Sequence, residues 1–233
     1  MNNPFIFSQF CVKIHTMKLK EIAIWIIVIA VLIGGLWGLV MAVNNAPAPE
    51  PLEITGLPEI TSEDFVKGAT ESAKVTLIEY GDFQCPACGA YFPVVKQLSE
   101  EFKSDLKVVY RNMPLTNIHP FAMITAQAAY AAGRQGKFWE MHDLLFENQS
   151  EWTTSNAREK ILQYAEDLEL DLDKFKENLE SDAAKNFVNK QRESALSIGL
   201  NSTPTFFVNG KNIPNPKTYE DFKKLIQDEI NKN

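Results

Sequence analysis

The segment EYGDFQCPACGAYFP, from Glu79 to Pro93, holds Cys85 and Cys88, two of the three cysteines in the chain. Two sulfurs separated by two residues can clip a metal, staple a fold, or cycle between dithiol and disulfide. A zinc site needs two further ligands. Beyond the apolar N-terminal run only His119 and His142 are left to supply them, without paired-ligand spacing. A permanent disulfide across so short a loop removes little chain entropy. Redox exchange is the reading that employs both sulfurs.

The flanking residues suit that chemistry. Val75 to Tyr80, VTLIEY, is β-branched and apolar, as a buried strand should be. Pro86 fits the first position of a helix, which places Cys85 at the N-cap. There the unpaired backbone N–H groups and the helix dipole favour a negative sulfur. A free thiol of pKa about 8.5 is only roughly 3% thiolate at pH 7. Stabilising the Cys85 thiolate makes it a better leaving group and its disulfide more oxidising. Cys88, one turn further in, is expected to be more buried and to act as the resolving thiol. The side chain of Ala87 offers neither a hydrogen bond nor a charge, so the motif alone leaves the direction of electron flow open.

The elements that must position these sulfurs follow. Cys88, Tyr91, Val95, Leu98 and Phe102 recur at helical spacing, with Pro93 inside that helix as a kink. LKVVYR, Leu106 to Arg111, reads as a second strand, parallel to the first through a right-handed crossover. From Pro120 to Ile198 the chain reads as short amphipathic helices, interrupted at Gly133, Gly136, Glu151–Asn156 and Glu180–Asp182. Phe138, Met141, Leu144 and Leu145 form one stripe, and Ile161, Leu162, Ala165 and Leu168 another. Phe175, Leu179, Phe187, Val188, Gln191, Ala195 and Ile198 suggest two more, and Gly199 is a C-terminal cap. Thr205 to Val208 is a strand, Asn209-Gly210 a hairpin turn, and Thr218 with Asp221 a capping box opening a last helix. The order is βαβ, a helical block, then ββα.

Compartment decides whether a disulfide persists. Ile22 to Val43 contains no charge and spans roughly 33 Å as a helix against roughly 30 Å of hydrocarbon. Lys13, Lys18 and Lys20 precede it, and Glu50, Glu53 and Glu59 are the first charges after it. This places the N-terminus in the cytoplasm and the rest outside. A cleaved signal peptide is the alternative, with Val40-Met41-Ala42 as the cut site, although signal cores run roughly 7–15 residues. Either way the domain faces an oxidising compartment. The expected organisation is a cytoplasmic segment at 1–21, a span at 22–43, a Pro-rich linker at 44–60 and a domain at 61–233. Residues 1–16, with Cys11, read as an upstream start choice. The helical insertion is expected at about 117–198. A net charge of −7 argues against a nucleic-acid partner.

Three segments carry a resemblance. VTLIEYGDFQCPAC, QGKFWEMHDLLFENQ and STPTFFVNGK resemble the DsbA-like thiol–disulfide oxidoreductases, bacterial proteins of thioredoxin fold with a helical insertion. The resemblance covers roughly Asp64 to Ile230. It implies an α/β thioredoxin-like fold preceded by one transmembrane helix. It also implies that Thr203-Pro204 is a cis-proline loop beside the disulfide that pairs with substrate backbone, where Pro86 and Ala87 also meet the substrate. Glu79 matches the family's buried acid near the resolving cysteine, able to relay its proton; otherwise it is an exposed strand-end glutamate. Asp82 is expected to cap the active-site loop, His119 to mark a helix start, and His142 to lie on a helix face.

The implied activity is donation of disulfides to reduced or unfolded extracytoplasmic proteins, without a cofactor. Reoxidation would fall to a membrane quinone-linked oxidase. A thiol reductase or isomerase driven by a membrane electron donor is the enzymatic alternative. A non-catalytic thioredoxin-like binding protein or chaperone is the alternative from another class.

Overall fold

The computed structural model describes residues 19–44, 54, 56–69, 72–154 and 156–232. The expectations for residues 1–16, Cys11, Lys13, Lys18, Glu50 and Glu53 lie outside the described residues. The chain divides into two units, residues 1–50 and 51–233. In the first, helix α1 runs Leu19–Asn44, and its Lys20–Met41 stretch is long and apolar enough to cross a membrane.

The second unit is built on a five-stranded sheet. Its strands are β1 (Phe65–Gly68), β2 (Val75–Gly81), β3 (Leu106–Asn112), β4 (Thr205–Val208) and β5 (Lys211–Ile213). Their spatial order is β1-β3-β2-β4-β5. Only β2 and β3 are parallel, joined by helix α2 (Pro86–Glu101). Strands β4 and β5 form a hairpin through Asn209 and Gly210, both at positive φ, 48° and 79°, as such a turn requires. Helix α9 (Tyr219–Lys232) opens as expected. Asp221 N–H donates to Thr218 Oγ1 at 3.1 Å, and the Thr218 hydroxyl reaches the Asp221 carboxylate at 2.7 Å.

Alternation along β2 decides what each face does. Val75 and Leu77 pack with Val95 and Leu98 of α2 and with Phe222 and Ile226 of α9. Ile78 and Tyr80 face the other way, against Val109, Phe207, Ala195 and Leu200. Strand period 2 therefore sends Glu79 to the α2 side.

The helical block comprises α3 (Ala122–Gly133), α4 (Phe138–Glu147), α5 (Gln149–Trp152), α6 (Ala157–Asp167), α7 (Leu172–Glu180) and α8 (Asp182–Ser197). Its core is continuous with Phe83, Cys85, Cys88, Phe92 and Tyr110, so the two cysteines sit where block and sheet meet.

Three features depart from the sequence reading. Strand β1, an antiparallel edge partner of β3, has no clear sequence signal, because FVKG is short and ends in a lysine and a glycine. A break between α6 and α7 falls at Leu168–Asp171, where Glu169 adopts φ 56° and the Asp171 carboxylate caps Lys174 N–H at 3.1 Å. The end of the Pro-rich segment is also attached to the fold. Ile54, Leu57 and Ile60 pack against the face of the sheet that carries Ile78, Tyr80 and Phe207. Arg111 Nη1 and Nη2 donate to Pro58 O and Glu59 O at 3.0 and 2.9 Å.

Candidate active site

Cys85 occupies the N-cap of α2 with φ −70° and ψ 121°, and Pro86 follows inside the first turn. The Cys85 backbone N–H is tied back to Asp82 O at 3.0 Å. Its thiol lies 3.5 Å from Thr203 O, across the cis Thr203–Pro204 peptide. Pro86 and Ala87 are exposed. Cys85 is 7% exposed and Cys88 is fully buried. Asp82 N–H donates to Cys88 Sγ at 3.5 Å. Gly81 lets the loop pass the sheet, since a Cβ there would stand 2.5 Å from the Tyr110 ring.

The two sulfurs are pushed apart electrostatically. A hydrogen bond from the Cys88 thiol does most to lower the Cys85 pKa, from an ordinary 9.0 to about 5, against the opposing effect of burial. Thr203 and the backbone N–H groups of Cys88 and Ala87 add to the depression. The helix start therefore contributes, but the partner sulfur contributes more. Burial drives the Cys88 pKa upward, and its bond to Cys85 and the negative charge of Glu79 act in the same direction.

Glu79 is 4% exposed, not the exposed strand-end residue that the alternative required. Burial first, then the Cys85 charge, raises its pKa from 4.5 to about 8. It lines a cavity of about 20 Å³ with Tyr110, Trp139, His142, Asp143 and Lys96. Glu79 Oε1, Tyr110 Oη and Trp139 Nε1 are all buried without a hydrogen-bond partner. A site for one water needs about 10–15 Å³ and two to four polar partners, and this cavity meets both conditions. His142 corrects the sequence reading: it is 6% exposed, since it shares the inward face of α4 with Phe138, Met141 and Leu145. Its ring packs edge-on to Tyr110 at 4.8 Å, burial lowers its pKa, and Nδ1 meets Asp143 at 3.0 Å.

The loop is held by residues to which the sequence assigns only minor roles or none. Asp82 accepts from Gln84 N–H and Leu115 N–H, both at 2.8 Å, and Oδ2 lies 2.7 Å from His119 Nδ1. Gln84 Oε1 accepts from Phe121 N–H at 2.7 Å. A dipeptide such as Asp-Phe can suggest a turn, but nothing local names partners more than thirty residues away.

Comparisons with known proteins agree with this fold. A family model described as Thioredoxin matches residues 61–228. Oxidised BdbD from Bacillus subtilis is 25% identical, with a TM-score of 0.65 over 77% of this chain and 98% of that one. The alpha-DsbA1 protein of Wolbachia pipientis shares the fold at 18% identity, with a TM-score of 0.64 over 74% of this chain and 94% of that one. Among curated proteins, a Na(+)/H(+) antiporter NhaA 1 from Salinispora arenicola is 44% identical over 155 residues, 66% of this chain and 23% of that protein. A second, NhaA 3 from Salinispora tropica, is 42% identical over 164 residues, 70% of this chain and 24% of that protein. The chain thus spans about a quarter of the length of these curated relatives.

Proposed function

The chain belongs to the thioredoxin family whose model covers residues 61–228, and on that premise we propose that it donates disulfides to reduced extracytoplasmic proteins through Cys85 and Cys88. Family and structural likeness support thiol–disulfide oxidoreductase activity in general. The observation that carries the finer reading is the placement of Cys85: at a helix N-cap, beside Thr203 O, with a strongly acidified thiol over a buried partner. The transport activity named for the curated relatives is not carried over, given how little of their length the chain spans.

In the oxidised protein a substrate thiolate attacks Cys85 Sγ. The Cys85–Cys88 bond breaks, a mixed disulfide forms, and Cys88 leaves with the electron pair. Cys88 is a poor thiolate in its buried site, so departure needs a proton. Glu79 holds one up to about pH 8 and supplies it, and a water in the adjoining cavity returns a proton to Glu79. A second substrate thiolate then attacks the substrate sulfur of the mixed disulfide. Cys85 leaves as the stabilised thiolate, the substrate has lost two electrons, and both protein sulfurs are reduced. Thr203-Pro204, with exposed Pro86 and Ala87, offers the edge on which an extended substrate lies. Helix α1 anchors the domain on the outer face of the membrane, and a membrane quinone-linked oxidase restores the disulfide.

The test is oxidation of a reduced peptide bearing two cysteines by the full chain in detergent. Peptide disulfide should form stoichiometrically with the wild type and not with Cys85→Ser. Peptide that binds without being oxidised would leave only the binding-protein reading.

A further inference from the structure

We infer that Gln149 is a positioning residue for the dithiol, clamping the Cys85 N-cap from the helical block so that its sulfur is held as a thiolate. The inference rests on the exchange chemistry proposed above. Gln149 closes the segment QGKFWEMHDLLFENQ and has no part in the mechanism so far. It begins α5, a short helix fixed by wholly buried Trp152, whose indole N–H donates to Leu145 O at 2.9 Å.

From that base Gln149 Nε2 donates to Phe83 O at 2.8 Å and to Cys85 O at 2.9 Å. Only the amide nitrogen carries two hydrogens, so two carbonyl acceptors fix which way the side chain points. Cys85 O also accepts the first bond of α2, from Gly89 N–H at 3.1 Å. Gly89 supplies the complementary space: a Cβ there would stand 2.7 Å from Gln149 Oε1. Glycine inside a helix is unfavourable relative to alanine, and here it leaves room for the amide.

The chemistry follows from the charges. The Phe83 and Cys85 carbonyls are the negative ends of peptide dipoles beside a sulfur that must become negative. Two N–H groups offset them. They also hold the Cys85 backbone so that the Ala87 and Cys88 N–H groups address the sulfur. A contact from the helical block therefore sets how readily the Cys85–Cys88 disulfide accepts electrons.

A double-mutant cycle on the full chain tests this. Gln149→Met keeps the side-chain length without the donors, Gln149→Ala removes the amide and closes the cycle, and Gly89→Ala crowds the amide from the other side. The readouts are thiolate ultraviolet absorbance against pH and the equilibrium with glutathione, with circular dichroism confirming the fold. Each single variant should raise the Cys85 titration midpoint. Each should also shift the equilibrium about threefold to tenfold toward the protein disulfide, the size expected for a lost hydrogen bond. Added to Gln149→Ala, Gly89→Ala should cause no further shift. If Gln149→Met does not fold, Gly89→Ala in the two backgrounds decides. Unchanged titration and equilibrium in the folded single variants, or additive shifts in the double variant, would overturn the inference. A wild type that does not exchange with glutathione at all would instead overturn the proposed function.

Discussion

His119 Nδ1 stands 2.7 Å from Asp82 Oδ2, and the backbone N–H of the same aspartate donates to Cys88 Sγ at 3.5 Å. One buried carboxylate thus ties the segment before α3 to the loop that carries the dithiol. Asp82→Ala would strand the N–H groups of Gln84 and Leu115. Destabilisation by about 2–4 kcal/mol is expected in urea unfolding, the usual cost of two unpaired buried donors. His119→Ala removes one partner and should cost about 1 kcal/mol. A wild-type unfolding curve for Asp82→Ala would contradict this account of the loop.

Cys85 should react with iodoacetamide along a titration centred near pH 5. Replacing the Cys88 thiol, the main source of that depression, by Cys88→Ala should move the midpoint upward toward the free-thiol value. The sign for stability follows. The folded pKa lies below the ordinary 9.0, so the reduced fold gains stability that is complete above about pH 9. That gain is lost as pH falls through about 5. Thermal unfolding of the reduced protein across this range measures it.

Glu79 carries the opposite sign. Its folded pKa lies above the ordinary 4.5, so it costs nothing below that pH, and the penalty is complete above about 8. Glu79→Gln should therefore stabilise the protein by about 5 kcal/mol at alkaline pH and by little at pH 4. The same variant should slow disulfide transfer by about a hundredfold, the scale of a lost proton relay. A stabilised variant with undiminished transfer would leave Glu79 without a catalytic role.

Arg111 is bound to Asp64 through Nε–Oδ1 at 2.9 Å and Nη2–Oδ2 at 3.0 Å, with both side chains nearly inaccessible. Arg111→Met would leave that carboxylate without its ion-pair partner, held only by Thr61 N–H at 2.9 Å, and would remove the donors to the Pro58 and Glu59 carbonyls. A loss of about 3–5 kcal/mol is expected, as for one partner of a buried pair. Truncating the chain to begin at Thr61 should cost part of the same stability, because it removes Leu57, Pro58, Glu59 and Ile60. Unfolding midpoints of both variants check this.

What can be read from the sequence is local. VTLIEY and LKVVYR are long enough and apolar enough to announce buried strands. Pro86, Asn209-Gly210 and Thr218 with Asp221 carry turn and cap chemistry within a few residues of where it acts. The placement of Cys85 and Cys88 at a helix start is legible from Pro86 and the spacing, and the cis Thr203-Pro204 peptide and the burial of Glu79 only from the family pattern that covers them. The residues that sequence reasoning misses act at a distance. Arg111 reaches back 47 residues to Asp64, and Gln149 reaches back 64 to Cys85 O. His142 reads as a helix-face residue because its neighbours Glu140 and Asp143 are charged, although Phe138, Met141 and Leu145 share its inward side.

The direction of electron flow is the central claim, and the redox equilibrium of the purified chain with glutathione measures it directly. The acidified Cys85 thiolate stabilises the reduced form, so the equilibrium should place the dithiol well above thioredoxin's potential of about −270 mV, on the oxidising side. A value at or below about −270 mV would contradict disulfide donation and make the protein a reductant.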